Sequence, residues 1–409
     1  MKSFKHYINE AEVNSHMTHL SDLVFISGVA GTKEAVNYLR DLRNLFGHVQ
    51  KNAYSVKFDG APAIICGIDP SDKQFFVAKK GIFNKTPKVY KTQADIDADL
   101  SGELADKFTV LLKELPSLGI RSGIYQGDLM YTHDDLKHET IDGVKMVVFH
   151  PNTIAYAVPE DSELAQQILA SKIGMVFHTT YTGNSFATLK ANFGKNIVNK
   201  FQASKSVWAI DATLNNQTAN FTLNDAEYAQ SEILLKDIGL QFQQMPSALL
   251  NKMVSDEEIR SLVLIYINSL VRKNVKDINP VAMSKGFFEF IDTRYNKEIT
   301  SKKTEKSQNA LHEKKLKALE LFKVYTHEQL ATVFELAKSI DLLKDMLLTK
   351  MRKINGLSHF IKTKDGFKVT SPEGFVAISS TNGSAIKLVD RFEFSRNNWD
   401  PLITRGWQK

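Results

Sequence analysis

Val56-Lys57-Phe58-Asp59-Gly60 is the stretch on which the reading of this chain turns. It sets a lysine at the end of a strand, two residues before an aspartate and beside a turn glycine. A lysine amine attacks phosphorus only when unprotonated, so neighbouring cations or desolvation must lower its pKa. Taken singly, K-x-D-G is equally the pattern of a surface ion pair between Lys57 and Asp59, so its surroundings decide.

From Tyr54 to about Thr213 the chain runs in short apolar or alternating segments broken by Gly, Pro, Asn and Asp. These are Ala63–Ile68, Phe75–Ala78, Ile124–Leu129, Met146–Phe149, Ile154–Val158 and Met175–Thr179, and such runs predict strands. Asp95–Leu115 and Ser162–Ser171 have helical spacing, so the region reads as mixed α+β. Upstream, Leu39, Leu42, Leu45 and Phe46 predict a helix over 21–46. Its Gly28, Gly31 and Lys33 fail the spacing of a phosphate loop. From Asp225 to about Ile354 the spacing is helical, with Glu257–Val271 and Leu316–Met351 as the clearest segments. Lys297–Glu320 carries seven Lys against four Glu and reads first as a solvated helix face, second as a polynucleotide contact. Strand patterns return at Gly366–Val369, Gly374–Ile378 and Ala385–Val389, with Asn382-Gly383 as a hairpin turn. The expected organisation is an N-terminal helix or leader (1–20), a first α+β part (21–215), a helical domain (216–358) and a second α+β part (359–409).

Composition sets the outer limits. The 409 residues carry 52 Lys and Arg against 46 Asp and Glu, a net charge of +6, with 43% hydrophobic residues. Disordered, collagen-like and disulfide-scaffold chains are excluded, while a nucleic-acid partner is permitted but not required. Cys66 stands alone and points to a reducing compartment. No apolar run approaches the ~20 residues of a membrane span, so the chain reads as soluble with no membrane partner.

Further pieces follow Lys57 in order. Ala78-Lys79-Lys80-Gly81 ends a strand in a basic turn, and Tyr125-Gln126-Gly127-Asp128-Leu129 sets an acid between apolar flanks. Pro372-Glu373-Gly374-Phe375-Val376 opens a strand with an acid, and Ala385-Ile386-Lys387-Leu388 closes with a lysine. In this order the chain resembles the covalent nucleotidyltransferase superfamily of ATP-dependent RNA and DNA ligases and mRNA capping enzymes. The resemblance is densest over 54–181 and 366–396. It implies a ligase-type nucleotidyltransferase (ATP-grasp-like) domain of antiparallel sheets with helices, interrupted by an α-helical domain.

By that resemblance Lys57 is the nucleophile that forms a lysyl-AMP, with Asp59 and Gly60 completing its motif. Lys79 stands at the basic position, Asp128 at the acid after glycine, and Phe149 at the aromatic that stacks on the base. Glu373 matches the acid of E-G-F-V, and Lys387 the closing lysine. ATP and Mg²⁺ are the implied cofactors, with Glu373 and Asp128 as metal ligands and Lys387 and Lys79 stabilising charge on the phosphate. The same cations are expected to lower the pKa of Lys57. The implied reaction is polynucleotide ligation at RNA or DNA ends.

The chain departs from the family pattern where Lys80 adds a second base beside Lys79, Asp128 replaces a longer glutamate, and Val389 replaces one closing lysine. The 22 residues after Lys387 leave no room for an OB-fold, which tilts the expectation towards RNA ligases.

The stretches 149–156 and 177–183 are similar to proteins of large tailed bacteriophages, and their His150 and His178 read as structural residues first and phosphate contacts second. Met1–Ala11 forms an amphipathic pattern that resembles capsid-targeting leaders, with cleavage expected after Glu10. The implied location is the host cytoplasm, or the virion if the leader directs packaging. Two other readings stay open: a non-catalytic nucleic-acid-binding or capsid-internal protein on a degenerate ligase fold, and the same chemistry directed at another acceptor.

Overall fold

The computed structural model describes residues 18–47, 53–193, 196–214, 222–276, 278–320, 324–351, 357–379 and 385–406. The N-terminal leader with Glu10 and the Asn382-Gly383 turn lie outside these residues. In chain order the elements are β1 (Thr18–His19), α1 (Leu23–Leu45), β2 (Ala53–Lys57), β3 (Ala63–Ile68), β4 (Phe75–Ala78), α2 (Gln93–Asp99) and α3 (Gly102–Glu114). There follow β5 (Ile124–Thr132), β6 (Lys137–Ile141), β7 (Val144–Phe149), β8 (Ile154–Pro159), α4 (Glu163–Ala170), β9 (Ile173–Thr182), β10 (Lys190–Phe193) and β11 (Val207–Asp211). Six helices come next: α5 (Asp225–Gln244), α6 (Ser247–Ser255), α7 (Glu257–Arg272), α8 (Pro280–Thr300), α9 (Glu305–Glu320) and α10 (His327–Lys350). The chain then returns to strands with β12 (Ser358–Thr363), β13 (Gly366–Val369), β14 (Gly374–Ile378) and β15 (Ala385–Leu388), before α11 (Arg391–Trp399) and β16 (Ile403–Thr404).

The architecture is mixed α+β. The strands form three sheets, ordered β1-β15-β14-β2, then β10-β9-β5-β3-β4 with β11 on β9, and β13-β12-β8-β7-β6 with β16 on β12. Apart from β1 on β15 and β11 on β9, every pairing is antiparallel.

The helices end where their caps dictate. Leu316–Met351 is divided, because the Thr326 side chain accepts from the Gln329 amide and starts α10 there. Asp95–Leu115 is likewise two helices, α2 and α3, parted at Leu100 and Ser101. The glycines of 28–33 lie inside α1. That helix, expected with the first α+β part, packs instead on α5, α6, α7 and α10. Its apolar stripe of Leu39, Leu42 and Leu45 needs a partner of the same period, and the helical layer supplies one.

In the lysine-rich run, Lys314, Lys315 and Lys317 pair with Glu258, Asp292 and Asp256 of neighbouring helices. This is the behaviour of a solvated helix face. Among the described residues no helix is long and apolar enough to cross a membrane.

One connection joins the first two sheets. After β11, the backbone continues along β2: Val56 N–H donates to Ala212 O (2.8 Å) and Leu214 N–H to Tyr54 O (2.8 Å). Ala212 N–H in turn donates to Phe177 O of β9 (2.9 Å). The edge that carries Lys57 is thereby held against the sheet that carries Asp128.

Candidate active site

Lys57 ends β2 directly opposite Gly374 at the start of β14, so the preceding Glu373 is brought beside it. The Lys57 ammonium donates to Glu373 Oε1, with side-chain exposures of 24% and 7%. Val376 faces both Ser55 on β2 and Lys387 on β15, and directly opposed residues share a face, so Lys57 and Lys387 project from the same side of the sheet. His19 on β1 opposes Lys387 on that face as well. A side chain at Gly374, whose φ is +149°, would come within 2.3 Å of Val389. Val389 is buried there and packs against the site's backbone.

Asp128 arrives from β5. It lines a cavity of about 90 Å³ together with Lys57, Ser55, His178 and Phe193. His178 Nε2 stands 3.6 Å from the Asp128 carboxylate, and its Nδ1 bonds with Thr179 Oγ1 at 2.7 Å. Gly60 makes the approach possible, since a Cβ there would sit 2.5 Å from that of Asp128 and 3.1 Å from Leu129 O.

Asp59 does a different job. Its carboxylate accepts from the amides of Thr153 and Ile154 (2.8 Å each) and from Asn152 Nδ2 (2.8 Å), while its own N–H donates to Tyr156 Oη (2.6 Å). It clamps the β7–β8 turn beneath Lys57, so it positions the site and has little capacity left for a metal. His150 belongs to the same turn: it donates to Thr153 O (3.3 Å), and burial first of all pulls its pKa down to about 4.

The charges are mutually tuned. Burial alone would lower the Lys57 pKa, but Glu373, then Asp128 and Asp59, outweigh it and hold the ammonium above its ordinary range. This corrects the expected depression, because carboxylates lie nearer to Lys57 than cations do. The depressed lysine is Lys387, through burial first and then the charges of Lys57, Lys80 and Arg391, against an opposing pull from Glu373. Burial, with the charges of Asp59 and Asp128, pushes Glu373 up to about 7 despite the Lys57 ammonium. A lysine held in its charged form and a carboxylic acid that titrates near neutrality thus share a hydrogen bond.

Two assigned residues stand elsewhere. Phe149 is 1% exposed and lies between Tyr131 and Tyr156, with ring centroids at 4.9 and 5.5 Å. No face is left to receive a base; an apolar strand terminus is core here. Lys79 acts on Asp99, which the Lys88 ammonium and the Tyr90 hydroxyl already hold below the usual carboxylate range. Val77 and Ala78 lie in cores on opposite sides of β4, and Lys79 follows the end of that strand. Lys80, the next residue, is the one whose charge reaches Lys387.

The sequence reading also missed α11. The Phe394 ring centre is 5.9 Å from Lys57 Nζ, and Asn397 and Glu393 close the far side of Glu373. In that cavity Glu373 Oε2, Thr153 Oγ1 and Asn397 Oδ1 are buried without a hydrogen-bond partner. No group of three or more His, Cys, Asp or Glu able to hold a metal occurs among the described residues.

The chain matches the Family of unknown function (DUF6267) over residues 14–401 and belongs to that family. No curated protein and no solved structure matches it.

Proposed function

We propose that the protein is an ATP-dependent polynucleotide ligase, with RNA favoured over DNA, working through a lysyl-AMP on Lys57 in a ligase-type nucleotidyltransferase fold. The observation that carries this reading is the pairing of Lys57 with a near-neutral Glu373 across β2 and β14, with Lys387 on the same face. Lys57 passes its proton to Glu373, and the freed Nζ lone pair forms a bond to the α-phosphorus of ATP. The bond from that phosphorus to the bridging oxygen breaks, and pyrophosphate leaves with the electron pair.

Lys387 and Lys80 stabilise the charge that grows on the phosphate oxygens. A 5′-phosphate oxygen of the nucleic acid then displaces Lys57 from the α-phosphorus, and the amine recovers a proton. In the last step a 3′-hydroxyl attacks the activated 5′-phosphate, gives up its proton and releases AMP.

Glu373, through its unpartnered oxygen, and Asp128 are the hard carboxylate ligands that would hold magnesium, one in each of the two cavities beside Lys57. With two carboxylates from the chain, water and phosphate would supply its other ligands. Bound there, it would neutralise phosphate charge and orient the triphosphate.

The upward shift of Lys57 favours a second reading, a nucleic-acid-binding protein on this fold that performs no chemistry. One experiment separates them. Incubation with α-labelled ATP and Mg²⁺ is expected to leave acid-labile, covalently bound label on the wild type and none on Lys57→Ala. Wild-type protein that stays unlabelled with ATP, GTP and NAD overturns the ligase reading.

A further inference from the structure

Helix α11 has two working faces. Glu393, Phe394 and Asn397 turn towards Glu373, whereas Phe392, Ser395, Arg396 and Trp399, at helical spacing, line a separate groove of about 220 Å³ against the end of α7. Trp399 is 72% exposed, an unusual place for the largest apolar side chain. Arg272 of α7 and Arg396 share the groove with it, and the Lys276 ammonium lies 5.5 Å from the centre of the Phe392 ring. Neither arginine forms an ion pair among the described residues. The one acid of the lining, Asp400, accepts from the Leu402 amide in its own turn (2.9 Å). An open indole flanked by unpaired guanidinium groups complements a polyanion that carries flat bases. The groove is also close to the chemistry. Trp399 follows Phe394 by five residues of one helix, roughly 7.5 Å along its axis, and the Phe394 ring centre is 5.9 Å from Lys57 Nζ.

We propose that this groove binds a single-stranded polynucleotide end, one base stacked on Trp399 and its phosphates held by Arg272 and Arg396. The proposal deepens the ligase reading and rests on it for the identity of the end that is held.

The test is fluorescence anisotropy of the full chain with 5′-phosphorylated oligo(U) and oligo(dT), at two salt concentrations. Trp399→Ala is expected to weaken binding roughly ten- to a hundredfold, and Trp399→Phe to restore most of it. Arg396→Gln is expected to lower affinity and reduce the salt dependence by about one ion. All three variants should still label at Lys57. Stronger binding of either oligonucleotide, if Trp399-dependent, supports the groove and names the sugar. Affinity unchanged by Trp399→Ala overturns the proposal. So does a concentration-dependent dimer that Trp399→Ala dissolves while oligonucleotide affinity stays the same, which would assign the groove to a second copy. Trp399-dependent binding without covalent label on the wild type sinks the ligase chemistry alone; label with Trp399-independent binding sinks this site alone.

Discussion

Two charged clusters meet at the sheet of β2, β14, β15 and β1, and they are built to different ends. Where this sheet meets the helices, Arg391 donates to Asp22 (2.6 Å) and Asn268 (2.9 Å), and Ser21 and Lys344 saturate Asp341 at 2.8 and 2.6 Å. Asp345 is the loose end, ion-paired with Lys344 at 3.2 Å and pushed by burial up to about 7. Around Lys57 one Glu373 oxygen lacks a hydrogen-bond partner, as Asp345 Oδ1 does, and the contrast lies in the lysines, one driven up and the other driven down. His19 lies between the two, its pKa pulled down to about 2 by burial and then by Arg391, Lys344 and Lys387. The pairs Arg391–Asp22 and Lys344–Asp341 act as scaffold, whereas two neighbouring lysines shifted in opposite directions make the Lys57 cluster the candidate site.

The contrast breaks most visibly at Arg391. Arg391→Ala strands a buried Asp22 carboxylate and is expected to cost about 3–5 kcal/mol in urea denaturation. If it costs no more than an exposed substitution, the scaffold assignment fails.

Next in size is a pH effect of opposite character. Glu373 has an ordinary value of 4.5 and rises to about 7 in the folded chain, so between these limits the folded state holds the proton more tightly. Its contribution to stability is complete below pH 4.5 and is lost as pH rises through 7, a change on the order of 3 kcal/mol. Glu373→Gln should therefore flatten the fall in stability between pH 5 and 8. Asp345, shifted in the same direction, should leave a residual slope. An undiminished slope would show that Glu373 is not held near neutrality.

The smallest expected change is at Gly60. Gly60→Ala must push Asp128 away, at about 1–3 kcal/mol, and should slow Lys57 labelling while leaving oligonucleotide binding intact. Labelling at the wild-type rate would mean that Asp128 does not need its present position.

What the sequence disclosed follows from what periodicity can carry. The short runs at 124–129 and 374–378 are bounded by turn residues and mostly buried, and the 3.6-residue spacing at 257–271 buries one face, so these elements were legible without partners. The order of Lys57, Glu373 and Lys387 was read from a family resemblance, whereas the strand pairing that sets Lys57 beside Glu373 is visible only in the fold. Phe149 was not, since an aromatic at a strand terminus packs in a core or meets a ligand equally well, and only the rings of Tyr131 and Tyr156 decide. Lys79 follows the end of β4 and Lys80 opens the 3-10 turn after it, so adjacent lysines of one basic turn reach different neighbours. Helix α11 has too few apolar residues to announce itself, and its importance comes from two faces that touch unlike neighbours.

Lys57 and Glu373, hydrogen-bonded across β2 and β14, are 316 positions apart, and Lys387 follows later still. A ribosome therefore emits Lys57 long before the carboxylate that pairs with it. A translation product cut short anywhere in the helical region carries the lysine but neither Glu373 nor Lys387, and so lacks the pair. The cluster closes only with the last tenth of the chain.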